Sequence, residues 1–63
     1  MPLGVAMDAK GNIIKVGDRV RGPRGYARIA LIERATDSDA RKVWFAGNAP
    51  GDMYYALAMH INA

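Results

Sequence analysis

The chain has 63 residues, of which none is cysteine and one is histidine. This length allows a single domain with a small core, because a chain of this size buries only about 60% of the surface that it exposes when unfolded. The absence of cysteine excludes disulfides and thiolate metal sites, and a hydrophobic content of 51% at a formal net charge of +3 excludes a disordered chain. The excess of basic over acidic residues electrostatically favours nucleic acid or another acidic surface as a partner.

No apolar run approaches the ~20 residues that a membrane-spanning helix needs. The first residues, MPLGVAMDAKG, also lack the basic segment and the long apolar segment of a secretory signal. We therefore expect a soluble, cytoplasmic protein with no membrane partner.

Two short apolar runs, residues 3–7 and 13–16, open the chain. The segment between them, DAKGN, is rich in residues that tolerate the positive φ of tight turns. The pattern predicts an N-terminal hairpin within residues 1–16 that leads into the rest of the fold. A short alternating strand, RVR, follows at residues 19–21 and is broken by GPRG, because proline cannot donate to a strand ladder.

The longest β-like run covers residues 26–33. Strict alternation predicts one face made of Ala27, Ile29 and Leu31. The opposite face then carries Tyr26, Arg28, Ala30 and Ile32. The adjacent aliphatic residues at positions 31 and 32 indicate either a bulge or two covered faces near this point.

Residues 33–40 are polar and predict a loop, after which RKVWFAG at residues 41–47 predicts a strand. The predicted core face of this strand carries Val43 and Phe45. Its other face carries Lys42, Trp44 and Ala46.

NAPGD at residues 48–52 predicts a turn. From residue 53 to residue 62 apolar side chains alternate strictly, which predicts a final strand whose inner face carries Tyr55 and Leu57. The pattern leaves open a short helical turn inside this strand. Turns every eight to twelve residues and the absence of an amphipathic helix predict a small, strongly bent barrel rather than a sandwich.

The stretch IKVGDRV at residues 14–20, followed by Gly25 and by ARIALI at residues 27–32, resembles the opening of SH3-like small barrels. Among these are the KOW-type modules of ribosome and transcription proteins, in which a hydrophobic residue and Gly-Asp precede the first strand and a glycine precedes the second. The resemblance implies an all-β fold, namely a small SH3-like barrel of about five short antiparallel strands. Residues 1–63 would then form a single domain.

The segment GDRVR at residues 17–21 is also similar to the plasmid-encoded type II dihydrofolate reductases, which are short SH3-like barrels whose tetramer encloses an active-site pore. In that family a Val-Gln-Ile-Tyr stretch lines the pore and holds substrate and cofactor. This chain has no glutamine, and its nearest segments, residues 43–45 and 53–55, lack the amide. The resemblance therefore does not carry the reductase activity over.

Four arginines, Arg19, Arg21, Arg24 and Arg28, lie within ten positions. The period of a strand places Arg19 and Arg21 on one face, with Arg24 on the tip of the adjoining loop. Such a row of arginines is able to bind the phosphates of a nucleic acid. The alternative is a solvated barrel face whose charges discourage pairing between strand edges.

Three aromatic residues, Tyr26, Trp44 and Tyr54, are predicted to lie opposite the core faces. Exposed aromatic rings beside arginines suit base stacking or a protein interface. The alternative is that Trp44 folds over one open end of the barrel, because an alternation pattern slips by one residue at a bulge.

The polar residues do not form a recognisable catalytic pattern. His60 has no second histidine to share a metal site, and the one serine, Ser38, lies in an acidic loop without an activating pattern. Asp37 and Asp39 supply too few ligands for a specific divalent cation site. We expect no catalytic residues, no metal and no cofactor.

The sequence thus predicts a small binding module with nucleic acid as its partner. The predicted contact residues are Arg19, Arg21, Arg24, Tyr26, Arg28, Lys42 and Trp44. The alternative is a protein-interaction or self-assembly module, a homo-oligomer whose interface includes Trp44, Tyr54 and Met59. An oligomeric enzyme similar to the type II reductases ranks third.

Overall fold

The computed structural model describes residues 2–36, 38–47 and 51–62, which form seven β-strands and a short 3-10 helix, η1. The strands are β1 (Pro2–Leu3), β2 (Val5–Met7), β3 (Ile13–Lys15), β4 (Arg19–Gly22), β5 (Gly25–Arg34), β6 (Arg41–Phe45) and β7 (Tyr54–Leu57), and η1 covers Ala58–His60. The pairings between these strands are antiparallel. The predicted all-β class with short antiparallel strands is therefore confirmed.

The larger of two sheets is built around β5, the longest strand. Its order is β1-β5-β6-β7, and β4 pairs with the first half of β5 while β1 pairs with the second half. The register between β5 and β6 shifts between Ile29 and Leu31, which marks a β-bulge. Bulges bend a strand and increase its twist, and the sheet curls into a half-barrel.

The bulge in β5 corrects the predicted faces of this strand. Ile29 and Ile32 are both fully buried although they lie three positions apart, whereas Leu31 is half-buried. The extra residue at the bulge moves the inward-pointing position from 31 to 32. The assignment of Leu31 to the core face and of Ile32 to the outer face was wrong, and the predicted bulge is confirmed.

The inner faces of β6 and β7 show one confirmed prediction and one wrong prediction. Val43 and Phe45 are fully buried, as alternation predicts. In β7, however, Tyr54 and Ala56 pack against the core and Tyr55 is exposed. The register pairs Tyr54 with Phe45 and Ala56 with Val43, and directly paired residues share one face of a sheet.

The chain leaves the strand conformation at residue 58, where η1 begins. This helical turn, which the sequence pattern left open, changes the side-chain direction so that Ile61 becomes fully buried. Arg21 and Asn62 then exchange backbone hydrogen bonds, which ties the end of the chain to β4. Within the described ranges, no helix is long and apolar enough to cross a membrane.

The core receives side chains from both sheets and from η1. Its buried apolar members are Ala6, Ile14, Val20, Ile29, Ile32, Val43, Phe45, Ala58 and Ile61. The hairpin of β2 and β3, which the apolar runs predict, contributes Ala6 and Ile14 and so packs one face against the larger sheet. This packing matters because a two-stranded sheet alone is marginal in water.

The turn of that hairpin is organised by a buried carboxylate, Asp8. The backbone N–H groups of Lys10 and Asn12 both donate to Asp8 Oδ1 at 2.9 Å. The N–H of the next residue, Ala9, donates to the carbonyl oxygen of Ile61 at 3.0 Å. The Asp8 side chain therefore stabilises the turn, and the adjacent backbone connects the turn to the C-terminal segment.

Replacing Asp8 by alanine is expected to lower the free energy of unfolding by about 1–3 kcal/mol, because two backbone N–H groups lose their acceptor. Asp8→Asn keeps an Oδ1 acceptor and is expected to lose less. Urea denaturation of the two variants measures the difference. Equal losses in both would show that the negative charge, and not the hydrogen bonds, carries the effect.

Candidate nucleic-acid interface

The hairpin of β4 and β5 presents its polar side chains on the outer face of the larger sheet. Val20 and Ala27 are directly paired and point toward the core. The flanking pairs, Arg19 with Arg28 and Arg21 with Tyr26, therefore point outward, and all four residues are exposed. We call these four residues the arginine face.

The turn that joins β4 to β5 depends on two glycines for different reasons. Gly25 has φ of 97°, a left-handed conformation that glycine adopts at little cost. A Cβ on Gly22 would lie 3.0 Å from Cζ of the Phe45 ring, so a side chain at this position would require the ring to shift by a few tenths of an ångström. The last pair of the ladder is Gly22 with Gly25, and Pro23 sits in the turn, where its missing N–H costs no ladder hydrogen bond.

The positive charge of the arginine face has no carboxylate partner within the described segments. The ion pairs there join Lys15 to Asp18 at 3.7 Å and Arg34 to Asp39 at 3.0 Å. Asp18, the acidic residue next to Arg19 in sequence, also accepts the backbone N–H of Lys15. Its carboxylate is thus held toward the preceding turn, and Arg19 and Arg28 face each other as like charges, an arrangement that destabilises a strand pair.

Arg24 occupies the turn, as predicted, and makes a contact within the chain. Its guanidinium carbon lies 4.3 Å from the centroid of the Tyr54 ring, within the range of a cation–π interaction. Tyr54 in turn stacks on Phe45, with ring centroids 5.3 Å apart. The prediction that Tyr54 lies opposite the core was wrong, and this ring is a half-buried support for the turn.

Trp44 and Lys42 belong to a second outer group, apart from the arginine face. Trp44 is paired with Leu31 and Tyr55, and its Nε1–H donates to Glu33 Oε1 at 2.8 Å. The Trp44 and Tyr55 rings lie 4.8 Å apart, and Lys42 Nζ lies 5.1 Å from the Tyr55 centroid. Trp44 is therefore engaged with its neighbours, whereas Tyr26 is 66% exposed.

A cleft of about 300 Å³ lies next to the arginine face. It is lined by Arg24, Tyr26, Ala27, Arg28, Ala46, Gly47, Asp52 and Tyr54. Sequence reasoning missed Asp52 and Gly47 as site residues, because both are far in sequence from the arginine-rich segment with which they line the cleft. A Cβ on Gly47 would lie 1.8 Å from the carbonyl oxygen of Asp52, so glycine is needed there for this close approach.

Met59, the third predicted interface residue, lies on another surface. It lines a groove of about 410 Å³ together with Val5, Met7 and Ile13 of the N-terminal hairpin. Met7 and Ile13 are directly paired and are 56% and 62% exposed. We call these four residues the hairpin groove.

His60 and Asp39, for which the sequence predicts no catalytic or metal-binding role, are both exposed. Asp39 forms an ion pair with Arg34. Asp37 lies outside the described residues. In the part of the chain that the structure describes, no three residues among histidine, aspartate and glutamate are grouped so that they could hold a metal ion.

Comparison of the chain with protein-family models, with curated proteins and with solved structures finds no match. Function is therefore inferred from the chemistry of these surfaces.

Proposed function

We propose that this protein is a small nucleic-acid-binding module that holds the phosphate backbone on its arginine face. The observation that carries the proposal is the direct opposition of Arg19 and Arg28 on an exposed sheet surface, with no carboxylate partner among the described residues. The fold gains no stability from this pair. A bound phosphate between the two guanidinium groups would replace their repulsion by charge-assisted hydrogen bonds.

Arg21 and Tyr26 extend the same surface toward the turn. Their pair is adjacent to the Arg19 and Arg28 pair on the outer face, so three arginines share this face with one exposed ring. A strand of nucleic acid lying along this face would release counterions at each arginine. Tyr26 would supply a stacking surface that does not depend on base identity.

The KOW-like pattern of the sequence supports the same proposal. Its Gly-Asp element pairs with β5 through two backbone hydrogen bonds, from Gly17 N–H to the Ile29 carbonyl and from Ile29 N–H to the Asp18 carbonyl, each 2.9 Å long. The turn thereby starts β4 in register with β5. The segment that resembles modules of ribosome and transcription proteins is thus the one that carries the arginine face.

The proposal is tested by fluorescence anisotropy with labelled random-sequence DNA and RNA. We expect binding at low salt that weakens steadily as the salt concentration rises, because phosphate contacts release counterions. An absence of binding at low salt to either nucleic acid would overturn the proposal.

Self-association is a second candidate function, favoured by the hairpin groove. These four residues are exposed and apolar, and contiguous exposed apolar patches mark interaction surfaces. The exposed Asp39 and the half-buried Arg41 also line the groove. A second copy of the chain would cover Met7 and Ile13 and enlarge a small core. Trp44 and Tyr54, which the sequence grouped with Met59, do not line this groove.

Sedimentation velocity at micromolar concentration tests this candidate. We expect the wild-type chain to sediment as a dimer and Met7→Glu to sediment as a monomer, because a charge at a buried interface has no partner. Val16→Glu serves as the matched control, since Val16 is exposed but does not line the groove. A monomeric wild-type chain at all concentrations would rule the dimer out.

A further inference from the structure

The cleft beside the arginine face shares two residues with it. Tyr26 and Arg28 both belong to the outer face of the hairpin and line the cleft. A strand whose phosphates lie on Arg28 would therefore lie next to the cleft. The group that such a strand would present there is a base.

Two tyrosines, Tyr26 and Tyr54, are among the residues that line this cleft. Tyr54 is held by its stacking on Phe45 and by the Arg24 guanidinium 4.3 Å from its centroid. Tyr26 has no ring contact with another described residue and is 66% exposed. Aromatic rings and guanidinium planes are the surfaces on which proteins stack unpaired bases.

Asp52 gives the cleft a carboxylate that can accept hydrogen bonds. It is the acidic residue among the groups that line the cleft, which also include the guanidinium groups of Arg24 and Arg28. The same carboxylate accepts hydrogen bonds from ring N–H or exocyclic amino groups, as acidic side chains do with cytosine. The cleft thus suits a planar hydrogen-bond donor, and the arginine face suits the anion.

We infer that the cleft takes one unpaired nucleobase, so that the protein binds single-stranded nucleic acid in preference to duplex. The inference rests on the proposed function of the arginine face. A duplex offers the same phosphates, but its bases are stacked and paired and enter a pocket only after they are flipped out. The volume of about 300 Å³ lies at the lower end of the range for small-ligand sites, as a single base requires.

The test compares a labelled single strand of about 12 nucleotides with the duplex of the same sequence, at one salt concentration and with both DNA and RNA. A third probe is a single strand of abasic sites, which keeps the phosphates and lacks the bases. We expect the wild-type protein to bind the single strand about tenfold more tightly than either other probe. Anisotropy measures the three affinities.

Tyr26→Leu is expected to weaken single-strand binding about five- to tenfold and to change duplex binding less than about twofold, because stacking is lost and the charges remain. Tyr55→Leu is the matched control, since Tyr55 is a 48% exposed tyrosine that does not line the cleft. It is expected to change neither affinity.

Equal affinities of the wild-type protein for single strand and duplex would overturn this inference and leave the proposed function intact. An equal loss of the two affinities in Tyr26→Leu would do the same. Failure of every probe to bind at low salt would overturn the proposed function and the inference with it.

Discussion

Replacing Arg19 and Arg28 together by glutamine is expected to weaken nucleic-acid binding about 10- to 100-fold at low salt, because two phosphate contacts are lost. The same change is expected to leave the free energy of unfolding unchanged or to raise it by about 0.2–1 kcal/mol, because like charges directly opposite each other on a strand pair are removed. The two residues face each other across β4 and β5 without a carboxylate partner among the described residues. Opposite effects on affinity and stability are the sign of residues selected for binding.

Anisotropy and urea denaturation measure the two effects. The control for affinity replaces Lys10 and Arg34 by glutamine, which removes the same number of positive charges from exposed positions outside the arginine face and, at Arg34, also removes the ion pair with Asp39. We expect this control to lose less than about threefold in affinity, through general charge alone. An equal loss in the control would show that the binding is diffuse, and a clear destabilisation by the arginine substitutions would show that the pair supports the fold.

Replacing Phe45 by alanine is expected to lower the free energy of unfolding by about 3–5 kcal/mol. A chain of this length has a total stability of only about 3–9 kcal/mol, so this loss is a large fraction of the total. Phe45 is fully buried, its ring stacks on Tyr54, and it lies directly under Gly22 of the turn. The same ring therefore supports the core, the turn and the cleft.

Thermal denaturation followed by circular dichroism measures this effect, with Tyr26→Ala as the matched control. Tyr26 is also an aromatic residue on a strand, but it is mostly exposed, and its loss should cost less than about 1 kcal/mol. If the free energy of unfolding of Phe45→Ala lies within about 1 kcal/mol of the wild-type value, the placement of this ring in the core is contradicted.

The sequence predicted the core face of one strand, β6, correctly. In β6, Val43 and Phe45 are flanked by Lys42 and Trp44, and alternation assigns them correctly. In β7, Tyr54 and Ala56 pack inward, and Tyr55 and Leu57 lie on the outer face. Alternation cannot detect this case, because the face is set by the register with β6.

The candidate site was predictable only in part for the same reason. The common face of Arg19 and Arg21 follows from the period of a strand, but the opposition of Arg19 and Arg28 depends on a turn that places Gly22 against Gly25. The cleft joins this turn to Asp52, which lies far along the chain. Trp44 is drawn into a separate group by its cross-strand neighbours, which no local pattern specifies.

An amide-resolved NMR titration of the wild-type protein with a short single-stranded oligonucleotide tests the central claim most directly. The claim that the arginine face binds nucleic acid predicts shifts concentrated in residues 19–28, with further shifts at Asp52 and Tyr54 around the cleft. Shifts confined to Val5, Met7, Ile13 and Met59, or an unchanged spectrum at low salt, would contradict it.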